Sequence, residues 1–143
     1  WTVCKEWLRF TVFRKWMECQ PWQGKQLDKD IIAIGNKVYC SAFCCFTTYR
    51  ENNLLGDSGA ARGQYPQGVS FNKRAGKFVA QCSANGKRKF LGYFDSVYRA
   101  EAAYLNFKYD VIIAVAMAAT DSRIKTGLLA HAAFLVNKNE VRL

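Results

Sequence analysis

The clearest alternation of apolar and polar residues lies in the middle of the chain, between residues 68 and 104, and predicts three short strands followed by a helix. From Lys77 to Ser83 an apolar residue occupies every second position, which is typical of a half-buried antiparallel strand. Asn85-Gly86 predicts a tight hairpin turn into the next strand, Arg88 to Tyr93, because both turn residues tolerate a positive φ. The buried side of the first of these strands is predicted to carry Phe78, Ala80 and Cys82.

A helix is predicted directly after the last strand. Ser96 is a residue type favoured at the N-cap, and four apolar residues follow at spacings of three and four: Ala100, Ala103, Tyr104 and Phe107. This stripe can lie across one face of the sheet, so the other face is left for a ligand. The pleat places six residues on that open face: Ser70, Asn72, Gln81, Ser83, Arg88 and Phe90.

The segments on either side are also expected to be folded. Aromatic residues recur at helical spacing from Phe10 to Gln20, where Pro21 ends the helix, and we expect them to be core residues. From Leu27 to Thr48 the pattern is β-like, with a strand at Ile31 to Ile34 and a turn at Gly35-Asn36. After Asp110 the helix is predicted to continue to Thr120. Asp121-Ser122 then caps another helix with an apolar stripe, and this helix, 122–136, is a candidate surface for a protein partner unless it packs on the first unit.

These patterns predict an α+β protein with four parts: 1–53, a linker at 54–64, a sheet-and-helix domain at 65–109, and C-terminal helices at 110–143. The longest weakly polar run, Val111 to Ala119, is shorter than a membrane-spanning helix, and no signal peptide is visible, so we expect no membrane partner. The six cysteines lack the paired spacing of a zinc site, and the single histidine, His131, lies far from most of them, which favours free thiols in a reducing compartment.

The net charge of +10 is concentrated in the predicted sheet. No acidic residue occurs between Asp57 and Asp95, whereas seven basic residues do: Arg62, Lys73, Arg74, Lys77, Lys87, Arg88 and Lys89. A surface of this kind favours a polyanion. Arginine reads guanine and glutamine or asparagine reads adenine, while Lys73, Arg74 and Lys87 at the loop tips suit contacts to phosphate.

The same segment resembles the APETALA/ethylene-response-factor type of DNA-binding domain. The resemblance rests on turn glycines, strand aromatics and helix alanines: Tyr65, Gly68-Val69, Gly76 to Ala80, Gly86 to Arg88, Phe90 to Phe94, Ala100 and Ala103-Tyr104. It implies a three-stranded sheet, packed on a helix, that enters the DNA major groove. By position, it implies contacts from Asn72, Lys77, Gln81, Ser83, Arg88 and Phe90. Gln81 and Ser83 replace the usual Glu and Arg, Phe90 replaces a Trp, and Ser70 replaces an Arg, so the sequence preference of plant members does not transfer.

The first part resembles the body of phage-encoded HNH-type homing endonucleases, which often carry an APETALA-type domain after the nuclease. The matching residues are Val3 to Trp7, Phe13, Trp16, Gly24 to Asp30, Tyr39, Cys44 and Phe46. An HNH site is a ββα unit that needs a histidine base and a divalent metal. No histidine precedes His131, and Phe43 stands near where active relatives have a polar residue, which implies a degenerate unit. Asp28 and Asp30, two apart on a predicted strand, are the candidate catalytic metal ligands; the alternative is that they belong to an exposed turn and that the nuclease fold is only a scaffold.

Three functions follow from these observations. The first is a double-stranded DNA-binding protein of phage homing-endonuclease descent, without a cofactor, in the cytoplasm of the infected bacterial host. The second is a Mg²⁺-dependent HNH-type nuclease that nicks DNA through Asp28 and Asp30. The third is an interaction protein whose basic sheet binds an acidic protein or a nucleoprotein assembly.

Overall fold

A computed structural model, which describes residues 1–56 and 63–142, has an α+β fold, as predicted. The chain forms two compact units. The first comprises Trp1–Gly56 and Val115–His131, and the described residues of the second are 63–114 and 132–142. Residues 57–62, most of the predicted linker, lie outside the described residues. None of the described helices combines the length and the apolar character that crossing a membrane requires.

The second unit contains a three-stranded antiparallel sheet in the order β5 (Val69–Asn72), β6 (Lys77–Ala84) and β7 (Lys87–Phe94). The turn between β6 and β7 consists of Asn85 and Gly86, whose φ angles are 53° and 74°. A two-residue turn with positive φ at both positions matches the right-handed twist of the strands it joins. The predicted hairpin is therefore confirmed.

A β-bulge interrupts the pairing of β6 with β7. Ala80 lies opposite Gly92 and Gln81 lies opposite Phe90, so Leu91 is an extra residue on β7. The extra residue changes the alternation of side chains along the strand. As a result Leu91 and Phe94 both pack against the buried core of this unit.

Helix α3 (Val97–Ala118) begins where the sequence predicted, since the Ser96 Oγ accepts a hydrogen bond from the Arg99 N–H at 3.2 Å. Its first turns cover the back face of the sheet, defined here as the face that carries Val69 and Ala80. Ala80 and Ala100 are completely buried. The core around them consists of Val69, Ala80 and Ala100, with Tyr65, Phe78, Leu91, Phe94 and Ala103 packed against them.

Gly68 allows α3 to approach the start of β5. Its φ is 80°, and a Cβ atom at this position would overlap the ring of Tyr104. Tyr104 belongs to a second buried cluster with Cys82 and Leu105. Glycine is therefore required at position 68 both by the backbone conformation and by the aromatic ring beside it.

Helix α4 (Ser122–Arg142) is longer than predicted, but its cap is the expected one. The Asp121 carboxylate accepts a hydrogen bond from the Arg123 N–H at 2.8 Å. The predicted apolar stripe is covered within the chain: Ile124 and Leu128 are buried in the first unit, and Leu135 packs on the Cys82 cluster of the second. Gly127 approaches Ile31 so closely that a Cβ atom would overlap the Ile31 carbonyl oxygen.

The first unit contains two small two-stranded sheets. In one, β1 (Thr2–Val3) pairs in parallel with β3 (Val38–Tyr39), and in the other, β2 (Gln26–Asp28) pairs antiparallel with β4 (Cys45–Thr47). A 3-10 helix spans Lys5–Leu8, and the α-helices are α1 (Phe10–Glu18) and α2 (Tyr49–Leu54). A capping box of Thr48 and Glu51 starts α2, which the periodicity analysis missed although the Thr-x-x-Glu spacing is a recognised sequence signature.

The prediction that the aromatic residues of α1 are core residues is confirmed only in part, because no residue of α1 is buried and Phe13 and Trp16 are half-buried. The ring of Trp7 lies 4.9 Å from that of Phe13 and 4.6 Å from that of Trp16, and Trp16 stacks on Phe46 at 5.7 Å. Phe10 departs furthest from the prediction, since it is 68% exposed.

The predicted strand at Ile31 to Ile34 is wrong. The Asp28 carboxylate accepts hydrogen bonds from the N–H groups of Asp30 at 2.9 Å and Ile31 at 2.7 Å, which turns the chain at the end of β2. The residues that follow form bends. The predicted turn at Gly35 is present, with the Asn36 N–H donating to the Ala33 carbonyl. Local side-chain hydrogen bonds thus overrode the β propensity of the isoleucines.

The cysteines are free thiols. Cys44, Cys45 and Cys82 are buried, whereas Cys19 is exposed. Burial raises the pKa of Cys44 to about 11 and that of Cys45 to about 12. These two thiols therefore remain protonated and unreactive in the folded protein at neutral pH.

Replacement of Gly68 should test the packing of α3. Gly68→Ala forces a methyl group into the Tyr104 ring at a positive φ, and we expect it to lower the free energy of unfolding by about 2 to 4 kcal/mol. Gly63→Ala is the matched control, because a Cβ there meets no atom within 4 Å, and its effect should stay within about 0.5 kcal/mol. Urea denaturation measures both, and equal stabilities of the two variants would contradict the close approach.

Candidate nucleic-acid interface

The face of the sheet opposite α3, called the open face below, carries the residues that the sequence placed there. Pairing of Ser70 with Val79 and of Ser83 with Arg88 puts these residues on one face, and none of the strand residues on it is acidic, although Asp95 follows β7 and lies beside Lys77. Strands β5, β6 and β7 together contribute Ser70, Asn72, Lys77, Val79, Gln81, Ser83, Arg88, Phe90 and Tyr93.

The polar centre of the open face consists of three side chains from β6 and β7, namely Gln81, Ser83 and Arg88. Gln81 lies directly opposite Phe90, and Ser83 lies directly opposite Arg88. Arg88 and Phe90 are exposed, and Gln81 is half-buried. Because Gln81 and Arg88 are on adjacent strands of one hairpin, an amide and a guanidinium lie on the same face of the sheet.

Tyr93 is a member of the open face that the sequence analysis missed. Its ring lies 5.2 Å from the ring of Phe90 at an interplanar angle of 66°, and the two side chains are 52% and 51% exposed. Strict alternation from Phe90 predicts that residue 93 faces the helix. The bulge at Leu91 returns Tyr93 to the side of Phe90, and periodicity alone gives no sign of that bulge.

Asn72 is placed as predicted, but its side chain already has a structural role. Its Oδ1 accepts a hydrogen bond from the Ala75 N–H at 3.0 Å, and its carbonyl oxygen accepts one from the Gly76 N–H at 2.8 Å. Both bonds close the β5–β6 hairpin. The turn thus engages one of the two lone pairs of Oδ1, so a two-bond contact from this amide to adenine has to share that oxygen with the Ala75 N–H.

The hairpin loop between β5 and β6 presents Lys73 and Arg74, both exposed, as the sequence suggested. Lys77 at the start of β6 lies 3.1 Å from the Asp95 carboxylate. Both groups of this pair are well exposed, and such surface pairs contribute only about 0 to 1 kcal/mol, so a phosphate can displace the carboxylate.

The backbone register places the two lysines of β7, Lys87 and Lys89, on the back face of the sheet. Lys87 pairs with Ala84 and Lys89 pairs with Cys82, on the side that α3 covers. The Lys89 ammonium lies 5.0 Å from the centre of the Phe107 ring, which accounts for its position. Lys87 adjoins the Asn85-Gly86 turn, so of the two it is the one beside the tip of the sheet.

The candidate metal ligands of the first unit, Asp28 and Asp30, are not two residues of one strand. Asp28 is the last residue of β2, and its Oδ1 holds the turn described above. Asp30 follows the strand, and its carboxylate lies 3.0 Å from the Lys29 ammonium, which is itself buried beneath the Trp1 ring. Both carboxylates thus have partners within the protein.

His131, the single histidine, is a packing residue of the first unit. Its Nε2 donates a hydrogen bond to the backbone carbonyl of Asp30 at 2.9 Å. It therefore supports the segment after β2. Within the part of the chain that the structure describes, no group of three or more His, Cys, Asp or Glu side chains is placed to hold a metal ion.

Comparisons of the chain with protein-family models, with curated proteins and with solved structures gave no match. Any function therefore has to be inferred from the geometry of the open face and of the segment around Asp28 and Asp30.

The pH dependence of stability should report the burial of Asp28. Desolvation raises the pKa of this carboxyl above its ordinary value, despite the two N–H groups that favour the charged form. A raised pKa in the folded state means that native protein takes up the proton at a higher pH than unfolded protein, so this group's contribution to stability is greatest at low pH and is lost as the pH rises.

We expect Asp28→Asn to retain an Oδ1 acceptor for the turn but to lose this titration. Lowering the pH from 7 to about 4 should therefore shift the stability difference between the two proteins in favour of the wild type. Urea denaturation at both pH values measures the difference, and a difference that does not change with pH would show that Asp28 has an ordinary environment.

Proposed function

We propose that the protein binds double-stranded DNA by inserting the open face of the sheet β5–β7 into the major groove. The observation that carries this proposal is the open face itself, which combines Arg88, Gln81 and exposed aromatic rings and has no acidic residue on its three strands. These side chains include the types that recognise base edges. The exposed cations of the adjoining loop supply the contacts to phosphate.

The dimensions of the sheet support this mode of binding. Three strands spaced about 4.8 Å apart span roughly 10 Å between the outer two backbones. The major groove of B-form DNA is about 12 Å wide and admits a β-ribbon, whereas the minor groove is about half as wide. Helix α3 lies against the back of the sheet, so it leaves the open face accessible.

The arrangement of charge also supports the proposal. Lys73 and Arg74 lie at one hairpin, Lys87 lies beside the other, and Arg88 and Lys77 lie on the open face. With the strands running along the groove, cations at both ends of the sheet can reach phosphates beyond the bases that its centre contacts. We infer that the sheet and α3 form a domain of the APETALA/ethylene-response-factor type.

We also infer that the first unit is a degenerate HNH-type body and that the protein descends from a phage homing endonuclease. On this proposal it acts in the cytoplasm of the infected bacterial host. The involvement of Asp28 in a turn and of Asp30 in an ion pair disfavours the nuclease alternative, in which they bind Mg²⁺. The burial of Ile124 and Leu128 likewise disfavours the α4 stripe as a binding surface for a protein partner.

The decisive experiment is fluorescence anisotropy with a random pool of labelled duplexes, at low and high salt, first with EDTA and then with Mg²⁺. The proposal predicts salt-sensitive binding that survives EDTA, with intact DNA on a gel. Fragments that appear only with Mg²⁺ would favour the nuclease. An absence of binding, together with purification in complex with one acidic protein, would favour the interaction protein.

Replacement of Arg88 should weaken binding to a preferred duplex. We expect Arg88→Ala to reduce the binding free energy by about 1 to 3 kcal/mol and to relax the preference at one base pair. Arg14→Ala, on the exposed surface of α1 in the first unit, removes the same charge without changing the sheet and is the matched control. Equal losses for the two variants in anisotropy titrations would mean that only net charge matters.

The salt dependence of affinity should report the phosphate contacts. With about five phosphates engaged, log K should fall with a slope of about −4 to −5 against log salt concentration. Lys73→Ala should reduce the size of this slope by about one without changing base preference, whereas Lys15→Ala on α1 should leave it unchanged. A slope that is the same for all three proteins would remove the β5–β6 loop from the interface.

A further inference from the structure

We propose that Gln81 and Phe90 act as one unit that selects an A·T base pair, with Gln81 bonded to adenine and Phe90 in contact with the 5-methyl group of thymine, next to a G·C pair read by Arg88. This inference rests on the proposed binding of double-stranded DNA and names the class of site that the sheet prefers.

The first argument is the juxtaposition of the two side chains. Gln81 and Phe90 are directly opposite each other across β6 and β7, on the open face. The Cβ atoms of such a pair are about 4.5 to 5.5 Å apart. An A·T pair presents the adenine N6 and N7 groups beside the O4 atom and methyl group of its thymine in the major groove. An amide next to an apolar ring matches that sequence of polar and apolar groups.

The second argument is the exposure of Phe90. Its ring packs on Tyr93, and yet it is still 51% exposed in the middle of a polar and cationic face. Tyr93 has a structural role on the open face. It lies opposite Val79, which belongs to the same face and is only 6% exposed. Phe90 does not lie opposite a buried apolar residue, since the residue opposite it is Gln81. The outer half of its ring is thus available to an apolar group of a ligand.

The third argument is the spacing to Arg88. Arg88 lies two residues before Phe90 on β7 and on the same face. Two residues along a strand span about 6.7 Å, which is about two steps of 3.4 Å along the DNA axis. Arg88 therefore reaches a base pair within about two steps of the A·T pair, and guanine is the base that a guanidinium recognises with two hydrogen bonds.

Uracil provides a direct test, because it retains the O4 atom and the pairing of thymine and lacks only the methyl group. A duplex selected from a random pool by the wild-type protein is prepared with thymine or with uracil at each A·T pair in turn. Burial of one methyl group corresponds to about a fourfold change in affinity. We expect uracil at one position to weaken wild-type binding by about fourfold, as measured by anisotropy.

Two variants identify the side chain that contacts the methyl group. Phe90→Ala should bind the thymine and uracil duplexes equally. The loss of affinity caused by the substitution and the loss caused by uracil should therefore not add. Phe134→Ala on α4 is the matched control, because Phe134 is 54% exposed but lies outside the sheet, and it should retain the fourfold difference.

Several results would overturn the inference. They are equal binding of thymine and uracil duplexes by the wild type, a thymine preference that survives Phe90→Ala, a selected site without an A·T pair near a G·C pair, and tighter binding of single strands, which would indicate stacking on the bases. Each of the first three leaves duplex binding intact and removes only this inference. A failure to bind any duplex removes the proposed function as well.

Discussion

The packing of helix α3 against one face of the sheet β5–β7 determines what the second unit can do. The contact is close because Ala80 and Ala100 have small side chains and because Gly68 leaves room for the Tyr104 ring. A three-stranded sheet of this size needs one covered face to be stable. Once α3 has covered the back face, the open face remains available, and its side chains are held on strands whose register is set by a two-residue turn.

The open face departs from what stability alone would favour. The sheet and its loop carry Lys73, Arg74, Lys77 and Arg88, residues 63–94 include no acidic residue, and Asp95 after β7 pairs with Lys77. Such a concentration of like charge disfavours the folded state. A half-exposed phenylalanine in the same face adds apolar surface that water disfavours. Departures from local rules of this kind are expected at functional sites. A bound polyanion would reduce the repulsion between the cations and would cover the exposed ring.

In the first unit, residue types that often bind metals or act in catalysis have a structural role. Asp28 ends a strand by accepting two backbone hydrogen bonds, Lys29 neutralises Asp30, and His131 bonds the Asp30 carbonyl. Carboxylates two residues apart therefore do not indicate a metal site when their oxygens are occupied by nearby N–H and ammonium groups. The proposed function therefore depends on the cationic sheet and not on the acidic turn.

The sequence by itself determined the elements whose signals are local. Alternation along β6, the Asn85-Gly86 turn, the Ser96 cap and the apolar stripe of α3 were all predicted, because each depends on a few neighbouring residues. Those elements placed Gln81, Arg88 and Phe90 on one face. The tertiary structure decided what depends on contacts between distant residues or on competition between hydrogen bonds.

The bulge at Leu91, which brings Tyr93 beside Phe90, follows from pairing between two strands and from the demand of the core for both Leu91 and Phe94. The bend after Asp28 replaced a predicted strand because a carboxylate offers the backbone a better local partner than a neighbouring strand does. In the same way, the turn around Asn72 uses a side-chain amide that was predicted to contact DNA. Periodicity reports which side of an element is apolar, whereas only the folded chain shows which polar atoms already have partners.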